Sequence, residues 1–158
     1  MIQVHREDKG GVSRVTLAGE VIEHVDLDQL VGKLGPRVDF VCRGVTRINS
    51  AGTKAWIRYF LSLKDKATKF RFIDCSFALV EQFNFISDMS CGGEIASVMV
   101  PFTCADCKKS YDLPCTADRY PKPSERFPGG KCPGCGKVNE MDEEPAEYFE
   151  FVGRMGGR

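Results

Sequence analysis

Two cysteine doublets, Cys104-Ala105-Asp106-Cys107 and Cys132-Pro133-Gly134-Cys135, constrain this chain more than any other feature. A two-residue spacer lets both sulfurs of a doublet face one ion, and zinc accepts four thiolates as a tetrahedron at about 2.3 Å. The 24 residues between the doublets exceed the usual spacing of roughly 15–20. Loop closure grows only logarithmically with length, so the cost is small. Gly136, directly after the second doublet, suits a turn in which backbone N–H groups swing toward sulfur with φ > 0. Four protein sulfurs leave zinc no open position for water or substrate, which makes the metal structural rather than hydrolytic. Cys115, alone in Leu113-Pro114-Cys115-Thr116, stays outside this ligand set.

The segment around the doublets needs such a site. From about residue 101 to Glu144 it is rich in Pro, Gly, Lys and Asp and has no periodic apolar face. That composition alone reads as loop or disorder. Glu147–Val152 reads as a closing strand, and residues 153–158 as a flexible tail. The doublets, Cys132-Pro133-Gly134-Cys135-Gly136 above all, resemble the knuckles of the zinc-ribbon family over about residues 101–152. Zinc ribbons serve nucleic-acid machines and protein docking alike, so the resemblance implies the metal more than the role. A thiol oxidoreductase is a rival reading of the same CxxC pairs, but it would use one doublet at a helix N-terminus.

Charge bears on partners. The chain has 22 basic and 22 acidic residues, and residues 101–158 hold nine Lys/Arg against ten Asp/Glu. Neither part is basic, so nucleic-acid binding through Lys108, Lys109 and Lys137 is the lesser alternative. Met1–Glu7 lacks the basic start and apolar run of a signal peptide. No apolar stretch approaches the roughly 20 residues a membrane span needs. A cytoplasmic protein is expected, and there eight cysteines favour a metal site over disulfides. Cys42, Cys75 and Cys91 read as small buried hydrophobes.

Residues 1–100 alternate strand and helix. Ile2–Arg6 and Val12–Leu17 flank the turn Lys9-Gly10-Gly11. Asp26 caps a helix with Leu27, Leu30, Val31 and Leu34 on one face, ended by Gly35-Pro36. Val38–Cys42 is a strand. A helix over Ala51–Lys64 buries Ala55, Trp56, Tyr59, Phe60 and Leu63, with Ser50 as its N-cap. Lys69–Ile73 is a strand, Ser76 caps a third helix facing inward through Phe77, Val80 and Phe83, and Ile95–Phe102 is the last strand. The fold class is α/β, a mixed sheet with helices, mostly parallel after the opening hairpin.

Three motifs refine this. Leu17-Ala18-Gly19-Glu20-Val21, the stretch Gly44 to Gly52 (Gly-Val-Thr-Arg-Ile-Asn-Ser-Ala-Gly), and the helix Thr53–Leu63 resemble the STAS domain. That family includes anti-sigma-factor antagonists, stressosome proteins and the cytoplasmic tails of anion transporters. The resemblance implies a non-enzymatic, regulatory protein–protein interaction module over residues 1–100, with a kinase or anti-sigma-type regulator among its partners. It makes Ser50 the phosphoacceptor and Gly52 the motif glycine, in a turn that the family writes Asp-Ser-x-Gly. Asn49 stands in place of that Asp, and Val41 in place of a second Asp at the end of the preceding strand, which thins the acidic surroundings. A phosphate on Ser50 would sit at a helix N-terminus, tolerated by the dipole but repelling a packed partner.

Overall fold

The computed structural model describes residues 1–122 and 125–155. Its fold is mixed α/β. Strands β1 (Gln3–Lys9) and β2 (Val12–Val21) form the expected antiparallel hairpin. Helix α1 (Leu27–Val31) then leads to β3 (Arg37–Ile48), α2 (Ser50–Asp65) to β4 (Lys69–Ile73), and α3 (Phe77–Phe85) to β5 (Glu94–Ile95). The five strands lie side by side in chain order, β2 through β5 parallel.

Period-2 alternation gives this sheet two different faces. Val15, Leu17, Phe40, Phe70 and Phe72 turn toward the helices and are buried. There Trp56 and Phe60 of α2 pack on Phe72, at ring-centroid distances of 5.6 and 4.9 Å, while Phe83 of α3 reaches the same ring at 5.6 Å. The indole Nε1 donates to the Met89 carbonyl at 3.1 Å, so this large buried side chain leaves no polar atom unpaired. On the outward face, one row of registered residues crosses all five strands as Glu7, Arg14, Asp39, Arg71 and Glu94. Each charge faces the opposite sign. Arg71 grips Asp39 with two hydrogen bonds, 2.8 and 3.3 Å. A row of this kind stabilises the pairing modestly and discourages edge-to-edge association.

Two caps form as expected: Asp26 Oδ1 accepts the Gln29 amide at 3.1 Å, and Ser76 Oγ accepts the Leu79 amide at 3.4 Å. Other expectations need correction. Helix α1 stops at Val31, three residues short of Leu34, because Gly32 takes φ 78°. Leu30 is left 46% exposed while Leu27 and Val31 are buried. Phe77 does not face inward; it is 37% exposed and stacks on Tyr148 at 6.0 Å.

The expected last strand, Ile95–Phe102, is two strands. The chain pairs with β4 through Ile95, and the Ala96 amide donates to the Phe72 carbonyl. It then turns away as β6 (Ser97–Thr103), paired antiparallel with β7 (Ser110–Thr116). Contact with the sheet persists through the bridge Cys75–Val98. A further small hairpin joins β8 (Gly130–Lys131) to β9 (Val138–Asn139). Glu147–Val152 is not a strand. Pro145 at a helix start, where its missing N–H costs nothing, opens α4 (Pro145–Tyr148), and α5 (Phe151–Met155) follows. Gly153–Met155 thus belong to α5, and residues 156–158 of the expected tail lie outside the described residues. Val98, Val100, Phe102, Tyr148, Phe149 and Phe151 belong to the same apolar cluster as Phe40 and Trp56.

Candidate metal centre

The two cysteine doublets occupy equivalent turns. Cys104–Cys107 links β6 to β7, and Cys132–Cys135 links β8 to β9. In the first turn the Cys104 amide donates to the Lys109 carbonyl at 2.9 Å and the Lys108 amide to the Cys104 carbonyl at 3.0 Å. The second repeats this: Cys132 to Lys137 at 2.8 Å and Gly136 to Cys132 at 2.9 Å. Such a turn forces the residue after the second cysteine into the left-handed region, where Gly136 has φ 79° and Lys108 φ 64°. Glycine suits that position; lysine occupies it under strain.

Facing one another, the turns bring Cys104, Cys107, Cys132 and Cys135 together, all four sulfurs within 4.8 Å of each other. Cys104 and Cys135 approach at 3.5 Å, Cys107 and Cys132 at 3.6 Å. A tetrahedron with bonds of about 2.3 Å has edges of about 3.8 Å. The quartet therefore fits a metal ion with little adjustment. Among the described residues no other group of His, Cys, Asp or Glu meets the same requirement. Cys115 is buried in β7 opposite Val98 and takes no part.

Crowding four thiols splits their acidities. Hydrogen bonding from the Cys107 amide, aided by the Asp106 amide and the Cys135 and Asn139 side chains, outweighs desolvation and pulls Cys104 down to about 6. The Cys135 amide lowers Cys132 in the same way. Cys135 moves up to about 11: the Lys137 amide works downward, but sharing a proton with Cys104, together with desolvation and the other two sulfurs, outweighs it. The shifts thus alternate around the quartet, downward at Cys104 and Cys132 and upward at Cys107 and Cys135, and a divalent cation would replace the shared protons with charge.

Three residues that the spacing of cysteines gave no reason to notice hold the two turns in place. Asn139 Oδ1 accepts the Ala105 amide at 3.1 Å, while its Nδ2 donates to the Tyr111 hydroxyl at 3.0 Å and the Lys137 carbonyl at 3.2 Å. Tyr111 in turn donates to the Gly130 carbonyl at 2.9 Å and stacks on Phe102 at 5.1 Å. Lys137 pairs with Asp106 at 3.3 Å across the turns. Neither doublet stands at a helix N-terminus, the setting a redox dithiol uses.

The Ser50 turn is built differently from the sequence expectation. Asn49, not Ser50, caps α2: its Oδ1 accepts the Gly52 amide at 2.8 Å, and its Nδ2 donates to Glu23 at 2.7 Å. Ser50 is the first helical residue and is exposed. Asn49 has the geometry because the chain is still extended there, φ −104° and ψ −176°. Gly52 is buried where a Cβ would lie 1.7 Å from the Val21 carbonyl oxygen, so the first turn of α2 sits directly on β2.

No protein-family model matches the chain, and no curated protein does either. Among the described residues, no helix is long and apolar enough to cross a membrane.

Proposed function

We propose that this chain is a non-enzymatic, STAS-like protein–protein interaction module of cytoplasmic regulation, carrying a zinc ribbon. Zn2+ is the structural ion held by Cys104, Cys107, Cys132 and Cys135. The observation that carries the proposal is the closed set of four convergent sulfurs, which fills a tetrahedron and leaves no site for substrate. The order of strands and helices and the Asn49-Ser50-Ala51-Gly52 turn opening α2 support the STAS-like reading. Because Asn49 already satisfies the cap, the exposed Ser50 hydroxyl is free to serve a partner or a kinase. A phosphate there would add negative charge beside Glu23 and displace whatever packs on that turn.

Elemental analysis of purified protein tests the metal. One zinc per chain and four thiols shielded until chelator is added are expected. Absence of bound metal, or the visible absorption of iron–thiolate in place of colourless zinc, would reject the assignment. Affinity purification with wild-type and Ser50→Asp protein tests the module. An unchanged set of partners removes the Ser50 surface from the function.

A further inference from the structure

Helix α3 leaves one stripe uncovered. Phe77, Glu81 and Phe85 follow at i, i+4 and i+8 and so share a face, while Leu79, Val80 and Phe83 on the other side are buried. Phe85 is 85% exposed and Phe77 37%, so aromatic surface stands bare along this stripe. This stripe forms one wall of a groove of 390 Å³ whose opposite wall is Glu143, Glu147 and Glu150. Tyr148 closes the floor at one end by stacking on Phe77.

The walls are fixed to each other. Asn84 Nδ2 donates to the Tyr148 carbonyl at 2.9 Å, and its Oδ1 accepts the Phe151 amide at 2.8 Å. Arg154 caps the α3 carbonyls of Phe83 and Asn84 at 2.9 and 2.8 Å. The Tyr148 hydroxyl donates to Met99 in β6. A groove held this way is preformed and would bind without paying to order its own walls.

Among the described residues four glutamates line it and no lysine or arginine does, although the chain as a whole is neutral. The carboxylates do not converge closely enough to hold a cation. Nucleic acid and anionic lipid would be repelled. From the charge and the bare aromatic together, we infer that the groove between α3 and α4–α5 receives a segment of a partner protein carrying lysines or arginines on both sides of a bulky apolar side chain. The apolar side chain covers Phe85, and the cations meet the glutamates, where the Phe85 ring also favours them. A second copy of the chain is the rival occupant, since Lys54, Arg58 and the 43%-exposed Leu61 lie along the outer side of α2. Such a contact would join unlike surfaces and leave open ends, so the chain would polymerise.

The test uses the full metal-loaded chain, isotope-labelled for amide NMR. The probe is a short synthetic peptide with two lysines on each side of a Leu-Trp pair. Two control peptides replace the lysines by glutamates or the Leu-Trp pair by serines. Shifts confined to α3 and residues 143–151 are expected, with affinity at least tenfold lower for Glu81→Lys/Glu147→Lys and for either control. Phe85→Ser should weaken the Leu-Trp peptide and leave the serine control unchanged, with dispersed spectra showing each variant folded. Ser50→Asp should leave the affinity alone, which separates this groove from the surface proposed above. Shifts elsewhere, equal binding of the serine control, or loss on Ser50→Asp would overturn the inference. So would sedimentation showing concentration-dependent self-association abolished by Phe85→Ser.

Discussion

The Asn49 side-chain oxygen accepts the Gly52 amide at 2.8 Å, and this one hydrogen bond separates the roles of three residues of one turn. It makes Asn49 the cap, frees Ser50 from structural duty, and brings Gly52 against Val21.

Denaturant unfolding should therefore rank the three positions. Asn49→Ala loses the cap and the bond to Glu23, and should cost about 1 kcal/mol. Ser50→Ala should stay within about 0.5 kcal/mol of wild type, as exposed substitutions do. Gly52→Ala drives a methyl into the Val21 carbonyl, at a position 1.7 Å from its oxygen. Backbone cannot yield as a flexible side chain can, and a loss of at least about 3 kcal/mol is expected. A costly Ser50→Ala with a harmless Asn49→Ala would reverse the assignment.

Metal removal separates ligand from bystander. Each of Cys104→Ser, Cys107→Ser, Cys132→Ser and Cys135→Ser removes one sulfur of the quartet and should abolish stoichiometric metal. Cys115→Ser should retain one ion per chain despite placing a hydroxyl in a buried site. Asn139→Ala should retain the metal but weaken it by about 10–100-fold in a competition assay, because it frees both turns. Full occupancy at wild-type affinity in Asn139→Ala would show that sulfur geometry alone suffices.

The buried thiols make a prediction at alkaline pH. Burial pushes Cys91 and Cys115 up to about 11 and raises Cys42 further. Their unfolded values lie near 8.5, so above that pH the unfolded chain gives up protons that the folded chain keeps. Stability is fully present below about pH 8.5 and declines as pH rises toward 11. Each thiol contributes a slope of about 1.4 kcal/mol per pH unit across that window. Cys115→Ala and Cys91→Ala should each flatten the decline between pH 9 and 11 by about that amount, measured by urea midpoints. A stability independent of pH there would mean that the thiols are already ionised in the fold.

Much of the metal centre and of the helical face was legible because it depends on local spacing. The CxxC pairs converge. Trp56, Tyr59, Phe60 and Leu63 are buried as their periodicity required, and Asp26 and Ser76 cap as their positions required. What failed depends on partners distant in sequence. Strand β7 alternates, with Tyr111, Leu113 and Cys115 turned inward, in a stretch whose composition read as loop, and Pro114 lies within it. Its position opposite Met99 in a two-stranded pair tolerates the missing donor. Glu147–Val152 has a β-like composition of Tyr, Phe and Val. It holds the end of α4, a turn and the start of α5, where Tyr148, Phe149 and Phe151 converge with Tyr120 and Phe127 in one aromatic group. Nothing local encodes that convergence. Ser50 failed for a finer reason: either Asn49 or Ser50 could cap, and the registry of α2 against Val21 decided between them.

The two cysteine turns supply a matched pair for the last prediction. Both have the same hydrogen bonds and the same left-handed residue, yet one has Gly136 and the other Lys108. A non-glycine residue pays about 1–2 kcal/mol in that conformation. Lys108→Gly removes the cost but loosens the unfolded chain, worth about 0.4–1 kcal/mol, and gives up an exposed bond from the lysine Nζ to the Ala105 carbonyl. A net gain of about 0.5 kcal/mol is expected in thermal unfolding of the metal-loaded protein. Gly136→Ala has room, its nearest neighbour 3.6 Å from the added carbon, so its cost is conformational alone and should be about 1 kcal/mol. The two substitutions should shift stability in opposite directions. Shifts of the same sign would mean that the turns are not equivalent when metal is bound.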